Sequence, residues 1–209
     1  EPTLFPDTVY KHISGGMPSS IPSLTQEEFV AFHDKYYHPS NARVTLYGNL
    51  DLETAFAQLT EYFDAFEAKD YEFESVEQTP FGERHELEAK FSISKDEPTE
   101  SKSLLAYIWA AGKGTNSEEL IALGVLDELL LGSNTAPIKK ALLKSGLGSD
   151  VSGGFGAATY SPIFEIVLKD TNPEAKEQFV SIIENELKRL VAEGIPQKAI
   201  QAALNKAAF

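Results

Sequence analysis

The 209 residues carry 18 Lys and Arg against 32 Asp and Glu, a formal net charge of −14, with 42% hydrophobic and 24% charged residues, the balance of a folded globular chain. The absence of cysteine excludes disulfide frameworks, thiolate zinc sites and Cys nucleophiles. The acidic excess disfavours nucleic acid, whose phosphates need a basic face, and no apolar run approaches the roughly 20 residues that span a bilayer. The expectation is therefore no nucleic-acid partner and no membrane partner. A cysteine-free chain fits a reducing compartment and equally fits secretion; the reading adopted is the cytoplasm, with an organelle matrix as the alternative.

Residues 1–24 are irregular, with four prolines and a swing point at Ser14-Gly15-Gly16. Thr25 with Glu28 has the spacing of a reciprocal capping box. A helix should follow, with Phe29, Phe32 and Tyr36 on one face, stopped by Pro39. Residues 41–47 alternate, which predicts a half-buried strand around Val44 and Leu46. Asp51 can cap a helix whose apolar residues, from Leu52 to Phe66, recur at helical spacing.

Between Glu67 and Glu100 the composition shifts to eleven acidic residues against four basic ones. Residues 67–80 read as an acidic, solvated linker. Residues 86–94 alternate and predict a strand. Residues 104–111 are more continuously apolar and predict a second, central strand.

Ser117, Glu118 and Glu119 suit the positive end of a helix dipole. The helix they open, through Leu130, is apolar nearly all round and should be buried. A short helix from Pro137 to Ser145 follows, with Gly146 as a left-handed cap. A glycine-rich stretch leads to a strand at 163–168, then a helix at 173–193 and another after Pro196. The layout is α+β, a mostly antiparallel sheet with helices grouped on one face. The chain opens without Met and closes at Phe209 inside a helical pattern, so the expectation is an internal piece of a longer protein.

The four histidines, His12, His33, His38 and His85, make neither H-E-x-x-H nor H-x-x-E-H. His85-Glu86-Leu87-Glu88-Ala89 comes nearest, but Ala89 stands where a second His is required. In an extended stretch those positions would be about 13 Å apart, too far for one ion. His33 and His38 are five apart, the wrong helical spacing. His38, at a helix C-terminus, reads as a structural residue. The glycines from Gly146 to Gly156 follow a helix and lead toward a strand, the reverse of a phosphate loop, so they read as a turn or a loop beside a cavity. No G-x-S-x-G elbow occurs, and in an acidic chain carboxylate spacing singles out no pair. The acidic run reads as a solvated face, or as a surface whose field favours cationic peptides. The residues themselves supply no complete catalytic constellation.

Two stretches resemble the presequence-protease branch of the pitrilysin/insulinase metallopeptidases. The first is Ser14-Gly15-Gly16, Ile21-Pro22, Leu24-Thr25, Glu28-Phe29 and Phe32-His33, leading into the eight consecutive residues Tyr36 to Arg43. The second is Ala136-Pro137, Lys140-Ala141-Leu142 and Ser145-Gly146-Leu147-Gly148 before Asp150. The resemblance implies a pitrilysin-like fold and a long parent of related α+β domains enclosing a chamber in which unstructured peptides are cut. It implies zinc in the parent, held by H-x-x-E-H and a distant Glu, with zinc-activated water and a Glu base. None of those residues falls on this chain, so no catalytic and no metal-binding residue is expected here, no cofactor in this chain, and the substrate-binding residues stay unassigned. On that map residues 1–66 are the C-terminal part of a first peptidase-type domain, 67–80 the acidic linker, and 81–209 the N-terminal part of a second, non-catalytic one. The partners implied are the remaining domains of the parent and the peptides the intact enzyme degrades. The chain alone is expected to be inactive, contributing chamber wall and inter-domain packing. The alternative is an inactive relative acting as a scaffold or partner subunit.

Overall fold

The computed structural model describes residues 2–207. Helix α1 spans Gln26–Tyr36. It starts as the sequence dictates: the Glu28 N–H donates to Thr25 Oγ1 at 3.2 Å, and the Thr25 N–H donates to Glu28 Oε2 at 2.9 Å. Two orphan donors of the first turn are thereby satisfied. Helix α2 spans Leu52–Phe63, and the Asp51 carboxylate accepts from the Glu53 N–H at 3.2 Å and the Thr54 hydroxyl at 2.6 Å. Neither helix buries a residue.

The core lies further along the chain. Strand β1 (Ser103–Ala110) is followed by helices α3 (Ser117–Leu131) and α4 (Pro137–Ser145), then strands β2 (Asp150–Gly156) and β3 (Ile163–Thr171), then helices α5 (Lys176–Glu193) and α6 (Gln197–Ala207). The three strands form one antiparallel sheet in the order β1-β3-β2. Trp109, Phe164 and Phe155 are register partners across it, and the Trp109 and Phe164 rings stack at 5.1 Å. Leu130 and Leu131 of α3, Ile138 and Leu142 of α4, and Phe179 and Ile183 of α5 pack on Val151, Phe164, Ile166 and Leu168 of the sheet. Each such side chain contributes about 1.5–3 kcal/mol by leaving water. The α+β layout with helices on one face is as the sequence implies.

Several local expectations are corrected. Residues 41–47 and 86–94 form no strand, because no neighbouring segment among the described residues offers them a ladder. The strand expected to be central, β1, is an edge; β3 is central. The continuous apolarity of β1 places Leu104 and Ile108 on the open face of the sheet. The glycine-rich stretch is itself strand β2. Helix α3 does open at Ser117, capped by Asn116, whose side chain accepts from the Glu119 N–H. Helix α3 is buried only toward its C-terminal end; Ile121 is 65% exposed. Val191 near the end of α5 is exposed. Gly146 does take the left-handed cap, with φ 68°. Ala208 and Phe209, where the terminal helical pattern ends, lie outside the described residues.

Candidate functional site

Residues 74–78, within the stretch that reads as a solvated linker, are tied to the N-terminal segment. The Val9 N–H donates to the Ser75 carbonyl at 2.9 Å. The Gln78 amide donates to the Asp7 carboxylate at 2.6 Å, and the Asp7 N–H donates back to Gln78 Oε1 at 3.0 Å. Lys11 Nζ lies 2.9 Å and His12 Nε2 3.4 Å from the Glu74 carboxylate. One residue group further on, Glu77 accepts from the Tyr160 hydroxyl at 2.8 Å and from Lys113 Nζ at 3.3 Å. The Tyr10 hydroxyl accepts from the Tyr160 N–H at 2.8 Å. The N-terminal segment, residues 74–78 and the loop between β2 and β3 therefore meet in one polar clasp. Hydrogen bonds from Lys11 and His12 hold the Glu74 carboxyl below the ordinary carboxylate range, and those from Tyr160 and Lys113 do the same for Glu77.

A second feature joins α3 to β2. Asp127 is a carboxylate on the face of α3 that meets the glycines of β2. A Cβ at Gly154 would come within 2.9 Å of both Asp127 oxygens, and one at Gly153 within 2.2 Å of the Glu165 carbonyl oxygen. With φ of 129° and 144°, Gly153 and Gly154 occupy backbone space other residues rarely enter. Burial pushes the Asp127 carboxyl up, partly offset by the Phe155 backbone amide.

The histidines stand in separate surroundings. His12 faces Glu74. His33 lies 3.5 Å from Asp34 and stacks on Tyr37. His85 lies against Phe81. His38 is buried, its ring edge-on to Phe66 at 5.3 Å. Its Nδ1 accepts the Ser40 N–H at 3.2 Å, capping the turn Pro39–Asn41. The sequence places it as a C-terminal group of α1; in the structure it opens the next turn. Glu86 of the His85 stretch pairs instead with Lys176 at 2.7 Å and Arg84 at 3.0 Å. Among the described residues no three His, Asp or Glu side chains converge as metal ligands would. The donor set does not fit zinc, and no chemical step through a metal is assigned to these residues. The clasp and Asp127 were not singled out by the sequence. Asp127 leaves one trace there, an acid inside an otherwise apolar helical run; Glu77 leaves none, being one acid among eleven between Glu67 and Glu100.

Large apolar side chains of α1 and α2 are exposed. Phe29 and Phe32 of α1 are 64% and 60% exposed, and Phe56 and Tyr62 of α2 are 58% and 64% exposed. A depression of about 410 Å³ is lined by Gln58, Glu61, Tyr62, Ala65 and Phe66. Both helices are capped and regular, and among the described residues neither buries a side chain, although Leu59 and Phe63 of α2 are half-buried.

The family model described as the peptidase M16 inactive domain matches residues 23–207. This chain belongs to the peptidase M16 family. It is 39% identical over 208 residues to protein HypA of Clostridium perfringens, covering 99% of this chain and 21% of that protein. It is 38% identical over 210 residues to presequence protease 1, chloroplastic/mitochondrial, of Arabidopsis thaliana, covering 99% of this chain and 19% of that one. The chain thus spans about a fifth of the length of these curated relatives. Among solved structures, the M16 inactive domain from Pseudomonas fluorescens superposes with a TM-score of 0.61 at 24% identity, covering 95% of this chain and 46% of that one. A protease from Helicobacter pylori gives 0.57 at 19% identity, covering 92% and 46%. The fold is that of M16 inactive domains. The resemblance to the presequence-protease branch holds, and the chain is a non-catalytic M16 portion of that kind.

Proposed function

We propose that the whole protein is a zinc-dependent metalloendopeptidase degrading unstructured peptides, with its metal held outside this chain. Residues 1–66 are the closing part of one peptidase-type domain, 67–80 a linker, and 81–209 the opening part of a second. This chain contributes chamber wall and the surface on which the remaining domains pack. The observation that carries the reading is the apolar surface of α1 and α2. Helices of eleven and twelve residues are marginal by themselves in water, and they draw stability from burying an apolar face. Contiguous exposed apolar surface marks an interaction site. The relatives, about five times longer than this chain, supply the kind of mass that would cover it. Several relatives are named as mitochondrial or chloroplastic presequence proteases, which supports an organelle matrix over the cytoplasm.

The test is peptide hydrolysis by the full protein and by the 209-residue chain. The full protein is expected to cut an unstructured peptide, to lose that activity to a chelator and to regain it with zinc. The chain alone is expected to cut nothing. Chelator-sensitive cleavage by the chain, or an inert full protein, would overturn the reading; the second result would favour a scaffold or partner subunit.

A further inference from the structure

Helix α4 packs on α5, and along their outer junction runs a cleft of about 520 Å³ lined by Thr135, Lys140, Lys144, Ser145, Glu186 and Arg189. In a chain with 32 acidic and 18 basic residues, this cleft is basic. Its own carboxylate, Glu186, is engaged by Arg189 Nε at 2.6 Å, and Arg189 Nη1 also holds Glu193 at 2.6 Å. Glu184 pairs with Lys188. No carboxylate among the described residues pairs with Lys140 or Lys144, which stand one helical turn apart and repel each other. Core packing fixes their direction, because Ile138 and Leu142 on the same helix are fully buried and turn the Lys140 and Lys144 side to the outside.

We propose that this cleft binds an extended acidic peptide segment with carboxylates at alternate positions. Spacing selects the occupant. Side chains four apart on a helix have Cβ atoms about 6 Å apart, and alternate residues of an extended peptide lie about 6.6 Å apart on one side. One carboxylate then meets each lysine. Helix α4 has nine residues, about 13 Å of axis at the helical rise, which matches about four extended residues. The inference does not depend on the peptidase reading.

The test uses the full protein with phenanthroline present to stop any hydrolysis. Fluorescence anisotropy follows a labelled Glu-Ser-Glu-Ser-Glu peptide, with Gln-Ser-Gln-Ser-Gln as the neutral control. The acidic peptide is expected to bind, to weaken as salt rises, and to weaken at least tenfold in the double variant Lys140→Gln/Lys144→Gln. Lys188→Gln, on an exposed lysine of α5, should change binding less than twofold. Both variants are exposed-surface changes and should keep the parent melting temperature. Absence of binding, equal binding by the double variant, or displacement by inorganic phosphate as effective as by unlabelled acidic peptide would overturn the proposal, the last by showing a site for free anions.

Discussion

Asp127 shows how a single side chain carries a structural cost that a sequence barely signals. Burial against the β2 glycines raises its folded-state pKa. Between the unfolded and folded values the native state binds more protons, so stability falls as pH rises through that window. Asp127→Asn keeps an oxygen facing the Phe155 amide and removes the charge. It should melt higher than the parent near pH 7.5, with the difference vanishing at acid pH where both side chains are neutral. A variant that melts lower at neutral pH would show the charge to be stabilising instead. Glu77 has the opposite sign. Its folded pKa is lowered by Tyr160 and Lys113, so its contribution is present above the unfolded value and is lost as pH falls through the folded one. Glu77→Gln should therefore raise hydrogen exchange at residues 74–78 at neutral pH. The parent should approach the variant as the solution is acidified, once intrinsic exchange rates are divided out.

Among the elements, caps and breakers were legible and strand partners were not. Thr25, Asp51, Pro39 and Gly146 act through their own local chemistry, and each does in the structure what its residue type dictates. Whether an alternating segment becomes a strand depends on a neighbour that local sequence does not name; residues 41–47 and 86–94 alternate and remain unpaired. Strand β2 was hidden for the converse reason. Glycine is poor in strands on average, yet here Gly153 is required, since a Cβ would meet the Glu165 carbonyl oxygen at 2.2 Å. Gly153→Ala should cost about 2–3 kcal/mol in urea unfolding. Gly15→Ala, where nothing lies within 4 Å, should change stability by less than about 0.5 kcal/mol. Equal effects would show that β2 adjusts its backbone freely. The candidate site was less legible than the elements, because the Glu77–Tyr160 contact joins residues 83 apart in sequence, and nothing near either residue marks the other.

At the scale of the molecule, burial is divided unequally. The sheet and α3 to α5 hold the core, whereas α1 and α2 contribute no buried residue. Charge does not explain the difference, since the exposed faces carry Phe29, Phe32, Phe56 and Tyr62. On the proposed reading, the exposed apolar faces of α1 and α2 are covered by a contact outside this chain. The most direct measurement is native-state hydrogen exchange on α1 and α2 in the full protein and in the 209-residue chain. Strong protection of both helices is expected in the full protein and near-unprotected exchange in the chain, while β3 and α5 stay protected in both. Equal protection of α1 and α2 in the two samples would contradict that reading, because those faces would then need nothing from the rest of the protein.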